Sequence, residues 1–256
     1  MTARRIAVIS AGLSEPSSTR QLADALARAS AIELERGGEA AEIEVIELRH
    51  IAPDVLNGLL TGTHAAPLAN ALRVVEDADA VIAVTPIFST SYSGLFKMFV
   101  DLIDRDALTG TPVILGATAG TPRHSLAIDY AIRPIFAYLH ADVVPTGVFA
   151  ATADWGGQGT DAEGLPGRIA RAARELAGKL AGSAPRSFRE LPAASESAAG
   201  EIVAGGAAVP GSEGADSGTA RAGGSPSAPR PTASLGGAAS RAFDGGFVPM
   251  GDLLPH

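Results

Sequence analysis

The sequence predicts an α/β fold, a parallel sheet covered on both faces by helices. Three observations carry this. Short apolar runs at 6–9, 79–85 and 112–117 read as strands buried on both sides. Longer stretches between them repeat apolar residues at helical spacing, as at Leu22, Ala25, Leu26 and Ala29. The two kinds of segment alternate along the chain, and a strand–helix–strand connection implies parallel pairing.

Taken in order, residues 4–10 form the first strand. Residues 18–36 form a helix stopped at Gly37 and Gly38. Residues 42–48 alternate Glu with aliphatic side chains, the pattern of a half-exposed strand at a sheet edge. Residues 49–64 are irregular around Pro53, with a short helix at 55–60, and 65–77 form the next helix. The third strand covers 79–85, and Pro86 ends it. A loop over 86–93 leads to a helix at 94–105 with Leu95, Phe96, Phe99 and Leu102 inward. The fourth strand is 112–117. After a loop at 118–123 comes a long helix, 124–139, that Pro134 should kink. The fifth strand is 142–150, and the last helix 165–180. This alternation predicts a flavodoxin-like, five-stranded parallel sheet in the order 2-1-3-4-5, with a ligand beside strands one and three.

The composition shifts at about Gly182. Of the 74 residues from 183 to 256, 47 are Ala, Gly, Ser or Pro, too little apolar bulk to offset the entropy of ordering. The expected organisation is therefore one folded domain over 1–182, a disordered C-terminal linker over 183–242, and an apolar terminal motif over 243–256. The motif carries Phe243, Phe247, Val248, Met250, Leu253 and Leu254. It reads as a weak docking element, for this protein's own core or for a partner.

Composition narrows the function. The 256 residues are 46% hydrophobic and carry a net charge of −8, which argues against nucleic acid or an anionic membrane as partner. There is no cysteine, so thiol nucleophiles, disulfides and zinc–thiolate sites are out of reach. No run is long and apolar enough to span a bilayer, and no signal peptide is legible, so a cytoplasmic location is expected. No metal site is expected.

Three loops fall at the C-terminal ends of the strands, where open parallel sheets bind ligands. The first, 10–20, carries Ser10, Ser14, Ser17, Ser18 and Thr19 at the start of a helix. Unpaired amides and hydroxyls there suit a phosphate, although a single Ser would be read as a helix cap. The loop lacks both Gly-x-Gly-x-x-Gly and the Gly-Lys-Ser/Thr ending, so a monophosphate such as that of FMN fits better than a dinucleotide or a triphosphate. The second loop offers Ile87 and Phe88 as a flat apolar surface, and Gly94 for close backbone approach. The third, 117–124, is built of small residues that would let a planar ring lie against the backbone. It ends on Arg123, which would pair with an anionic nicotinamide cofactor or stand as a solubilising charge, and on His124, read as a capping or packing residue.

Ser10 and 16–19, Thr85, Pro86, Ile87 and Phe88 with the run 91–97, and the run 121–130 with Arg133 and Pro134, resemble the NAD(P)H-dependent FMN reductases. The branch they most resemble supplies reduced flavin to two-component flavin-dependent monooxygenases. The resemblance covers about residues 4–180. The first loop departs from the family's Gly-Ser-x-Arg form, being longer and having Ala11 and Gly12 where the arginine lies. The resemblance implies an NAD(P)H:FMN reductase using FMN with NADPH or NADH. Ser10, Ser17, Ser18 and Thr19 would hold the FMN phosphate. Pro86, Ile87 and Phe88 would line the flavin, Tyr92, Ser93 and Gly94 would close the site, and Thr118, Gly120 and Thr121 would flank the ring. It also implies a homodimer or homotetramer, with the helix at 124–139 as contact element.

In such a reductase the hydride passes from nicotinamide C4 to flavin N5, and no catalytic side chain is assigned. Two other functions stay open on the residues alone. One is a quinone or azo-compound reductase with tightly bound FMN. The other is a non-enzymatic flavodoxin-type electron carrier. The absence of carboxylates from 85–94 and 117–124 disfavours the carrier.

Overall fold

The computed structural model describes residues 3–156 and 163–186. Residues 1–190 form one compact unit. The linker beyond residue 186 and the apolar motif at 243–256 lie outside the described residues.

The sheet starts from β1 (Arg4–Ser10), which pairs in parallel with β2 (Ala41–Glu47) on one side and β3 (Ala80–Phe88) on the other. β3 pairs in parallel with β5 (Pro112–Ala119). On the far side of β5 lie β6 (Asp142–Val143) and β7 (Val148–Ala151), both parallel to it. A two-residue strand, β4 (Ser91–Tyr92), folds back antiparallel on the end of β3.

The parallel positions run in the expected 2-1-3-4-5 sequence, but the sheet has seven strands, not five. The fifth position is broken in two around Pro145, whose ring blocks a continuous ladder. The seventh strand is the short return of β4. Pro86 does not end β3. It pairs with Thr118 of β5, beyond the last β1–β3 pair at Ser10 and Val84. With one neighbouring strand left, the missing N–H is tolerated.

Successive residues of the central strands face two cores. Ala7, Ile9, Val81, Ala83, Val113 and Leu115 point to one face, with Leu68, Phe96, Phe99 and Phe136. Ile6, Val8, Ile82 and Ile114 point to the other, with Leu22, Leu26, Leu176 and Leu180. The first face is covered by α2 (Ala52–Thr61), α3 (Ala66–Glu76), α4 (Gly94–Val100) and α5 (Arg133–Tyr138). The second is covered by α1 (Ser18–Arg36) and α6 (Gly164–Leu180). Burial on both faces explains the unbroken apolar runs. β2, at the edge, is exposed through Glu42, Ile43 and Glu44 and buries only Ile46, so its sequence alternation is not matched by alternating burial.

α1 has the predicted bounds, and Gly38 takes the left-handed conformation just past its end. The helix expected over 124–139 is instead broken. A 3₁₀ turn at Pro122–His124 is followed by a π-helical turn at Ile128–Ile132 and then by α5. Pro134 in the first turn of α5 has no N–H to extend a regular ladder backward, and the Arg133 amide reaches Ile128 O instead. α4 stops at Val100, short of the predicted 105. None of the described helices is long and apolar enough to cross a membrane.

The edge of the sheet at the strands' N-terminal ends is closed by arginines. Arg4 is buried, and its guanidinium donates to Leu180 O (3.0 Å), Ser183 O (2.6 Å) and Glu39 Oε1 (2.7 Å). Residues 183–186 stay with the domain. The Arg186 amide donates to Asp79, and its guanidinium donates to Ala107 O (2.9 Å), Thr109 O (3.0 Å) and Glu76 O (3.3 Å). Arg186 thus satisfies carbonyls left over in two chain segments, the end of α3 and the turn before β5.

Truncation after Gly182 should lower stability by about 2 kcal/mol relative to truncation after Glu190, since it removes charge-assisted bonds to backbone carbonyls. Thermal melts should show a difference of roughly 4–8 °C. Equal melting temperatures would mean that 183–186 contribute nothing. A second expectation concerns acid. The hydrogen bond from Arg4 holds the Glu39 carboxyl below the usual carboxylate range. A depressed folded-state pKa stabilises at neutral pH, and that contribution is lost as pH falls through it. Glu39→Gln should therefore be less stable at neutral pH and lose less on acidification, which denaturant titrations at several pH values check.

Candidate functional site

The loops that follow β1, β3 and β5 meet at one edge of the sheet. The first is shaped by a close approach. A Cβ on Gly12 would lie 2.0 Å from Ser17 Oγ and 3.1 Å from Thr19 Cβ. The loop therefore folds back on the start of α1 only because residue 12 has no side chain. Ser17 is the N-cap, its Oγ accepting from Arg20 N at 3.1 Å, and Gln21 N reaches Ser17 O. Among the described residues the amides of Ser18 and Thr19 have no acceptor. They are the orphan donors of a 19-residue helix. Ser10 is buried at the end of β1, where the loop begins.

The second loop is a tight hairpin. Ile87 pairs with Tyr92 and Phe88 with Ser91, leaving Ser89 and Thr90 as a two-residue turn with φ of 48° and 70°. Positive φ at both positions is what the strand twist asks for, but Thr is β-branched and strained there. Thr85 anchors the hairpin from beneath. Its buried Oγ1 accepts from Ser93 N (3.1 Å) and donates to Pro86 O (3.0 Å). Ser93 caps α4, accepting from Phe96 N at 3.2 Å. Tyr92 packs its ring on Phe96, 6.3 Å between centroids, and Phe88 is 50% exposed.

The third loop leaves β5 after Ala119. Thr118, within β5, is buried and bonded to Thr19 through the two hydroxyls, at 2.8 Å. Gly120 and Thr121 are exposed, and His124 is half-buried at the end of the 3₁₀ turn.

Two arginines flank the first loop, and both are engaged by carboxylates. Arg20 donates to Asp24 (2.8 Å) and to Glu47. Arg49 donates to Glu47 (3.1 Å) and to Glu15 (3.1 Å). The hydrogen bond to Asp24, aided by the charges of Asp24 and Glu47, pushes the Arg20 pKa up.

The predicted site residues thus gather at one edge, in three roles. Ser10, Ser17, Ser18, Thr19 and Thr118 lie together around the first loop. Phe88, Tyr92, Gly94, Gly120 and Thr121 present surface from the other two, whereas Pro86 is buried within β3. Ile87 and Ser93 point their side chains inward, Ile87 into the core and Ser93 onto the α4 cap. Thr85 and Gly12 shape the site, and neither role is legible in the sequence. A Gly two residues past a buried strand and a Thr before a Pro are weak signals, and what they do depends on contacts 5–8 residues away.

Residues 4–156 match the family model described as NADPH-dependent FMN reductase. The chain is 36% identical over 182 residues to the NADH-dependent FMN reductase SfnE of Pseudomonas putida, covering 71% of this chain and 95% of that protein. It is 37% identical over 175 residues to an FMN reductase (NADPH) of Pseudomonas aeruginosa, covering 68% and 90%. Among solved structures, an oxidoreductase from Corynebacterium diphtheriae superposes with a TM-score of 0.68 at 47% identity, over 72% of this chain and 100% of that one. The apo form of EMOB, an NADH:FMN oxidoreductase, superposes with a TM-score of 0.61 at 28% identity, over 73% and 95%.

The Gly12 contact and the hairpin turn each make a prediction. Ser17→Ala should cost about 1 kcal/mol as a lost cap. Gly12→Ala should cost roughly 2–3 kcal/mol, because overpacking adds to displacement of that cap. With the Oγ gone the collision is relieved, so the double variant should cost less than the sum, as denaturant melts would show. Additive costs would mean that Gly12 is needed for another reason. Ser89→Asn with Thr90→Gly should stabilise by about 1 kcal/mol, since both residues adopt positive φ readily.

Proposed function

The chain belongs to the NADPH-dependent FMN reductase family, and on that footing we propose that it releases its reduced FMN to a flavin-dependent monooxygenase and does not keep it as a prosthetic group. It is an oxidoreductase that uses FMN with NAD(P)H. One observation carries the proposal. Among the described residues the phosphate end of the site has neutral donors only: the hydroxyls of Ser10, Ser17, Ser18 and Thr19, and the amides of Ser18 and Thr19. Arg20 and Arg49, the cations beside it, are engaged by Asp24, Glu47 and Glu15. Charge-assisted bonds from a guanidinium are about twice as strong as neutral ones, so a cradle without a free one suits a flavin that must leave. The resemblance of 85–97 to the flavin-supplying branch points the same way.

The residues fit FMN. Orphan amides at the start of a long helix, a glycine that admits close approach, and hydroxyls at the end of the adjoining strand suit a phosphate monoester. FMN, when bound, supplies the N5 position that takes a hydride from nicotinamide C4. In this reading Pro86, Phe88, Tyr92 and Gly94 line and close the ring site, and Gly120 and Thr121 flank it. Ile87 and Ser93 act as supports that fix the hairpin. The bonds of Thr85 to Ser93 and to Pro86 O hold that hairpin at one distance from the sheet, as close ring stacking requires. The segment 122–138 exposes Leu126, Tyr130 and Tyr138, and we assign it the subunit contact of a homo-oligomer.

Purified protein supplied with NAD(P)H and FMN should turn over and leave free reduced flavin, and desalting should strip the flavin. Flavin that copurifies in stoichiometric amount, with turnover that needs an added quinone and is indifferent to added FMN, would favour a quinone reductase instead. Ser17→Ala with Thr19→Ala should weaken FMN more than riboflavin, at about 1.5–3 kcal/mol per lost bond to the charged phosphate. His124→Ala should leave the pH profile of hydride transfer unchanged.

A further inference from the structure

We infer that Thr118 is a positioning residue that acts through Thr19, setting the direction of the Thr19 proton toward the flavin phosphate. The inference rests on the reading that the first loop holds that phosphate.

The two hydroxyls meet at 2.8 Å, both residues are buried, and they come from positions 99 apart in the chain. Each hydroxyl has one proton and two lone pairs. One proton lies in the bond between them. Among the described residues neither hydroxyl has another side-chain or backbone partner. The pair therefore holds one donor more than it consumes, in a place where an unmet donor is costly.

Position decides which proton is left over. Thr19 stands in the first turn of α1, beside its own unpaired amide and that of Ser18. An anion held by those amides sits next to Thr19. Thr118 belongs to a central strand, paired on both sides, with Pro86 and Ala150 as register partners. With an anion present, the arrangement that meets every donor has Thr118 donating to Thr19 and Thr19 donating outward. A hydroxyl that accepts one bond is a better donor in the next. Thr118 then serves the phosphate without touching it, and its part in the site is not to flank the ring.

The test is the affinity for FMN and for riboflavin, read by fluorescence quenching in the dark without nicotinamide. Thr118→Val removes the hydroxyl and keeps the shape, and Thr118→Ser keeps the hydroxyl. Thr118→Val should weaken FMN roughly three- to tenfold and leave riboflavin within about twofold, and Thr118→Ser should recover FMN binding. In a Thr19→Val background, Thr118→Val should cause no further loss. Inorganic phosphate should raise the melting temperature of the wild type more than that of Thr118→Val, and this reading serves also where flavin binding is too weak to measure. Equal weakening of both flavins by Thr118→Val would place Thr118 against the ring and overturn the inference. So would unchanged FMN binding, or a further loss in the Thr19→Val background. If wild-type protein does not distinguish FMN from riboflavin, the phosphate reading itself fails, an outcome separate from the others.

Discussion

The parallel ladder through β1, β3 and β5 is the constraint on which the site depends. β3 is paired on both sides as far as Val84, where β1 ends, and Ala11 N donates to Val84 O as the last rung. From there β3 and β5 run on together, Thr85 beside Ala117 and Pro86 beside Thr118. The edge of the sheet therefore has a step in it. The first loop drops into that step, which brings the start of α1 level with the extended end of β5. Thr19 reaches Thr118 for this reason, and no local feature of either loop would place them together.

The distribution of charge follows from the same step. Anion-binding sites in proteins often use an arginine, yet here the arginines beside the first loop are drawn off by carboxylates on α1, on β2 and in the loop itself. Glu47 receives both Arg20 and Arg49. The result is a set of ion pairs around the first loop that leaves both guanidinium groups matched by carboxylates. In the proposed function, these pairs would fix the loop without offering a free guanidinium to the phosphate.

How much of this is legible in the sequence depends on whether the determinant is local. The bounds of α1 are legible because Ser17 and the glycine pair are local signals. The central strands are legible because burial on both faces leaves continuous apolar runs. The long helix at 124–139 is misread, since a period of 3.6 does not reveal that Pro134 turns one stretch into π geometry. Pro86 is misread for a related reason: whether a proline ends a strand depends on which neighbours remain, and the sequence does not display β1 stopping at Ser10. Of the site, the gathering of the three loops at the C-terminal edge of the strands is legible, because that follows from the parallel topology. The inward turn of Ile87, the Thr85 anchor and the Thr19–Thr118 bond are not, because each is a contact between elements that only the packed sheet brings together.

The arginine closure at the opposite end of the strands bears on how this domain would be attached to something else. Arg186 is fastened to Asp79 and to carbonyls at 76, 107 and 109, so the described chain leaves the domain at the edge remote from the loops. Eight-residue β5 separates the two edges by on the order of 25 Å. An electrode, bead or fusion protein joined beyond that point would grip the molecule by its base. The edge that carries the three loops would face away from the joint.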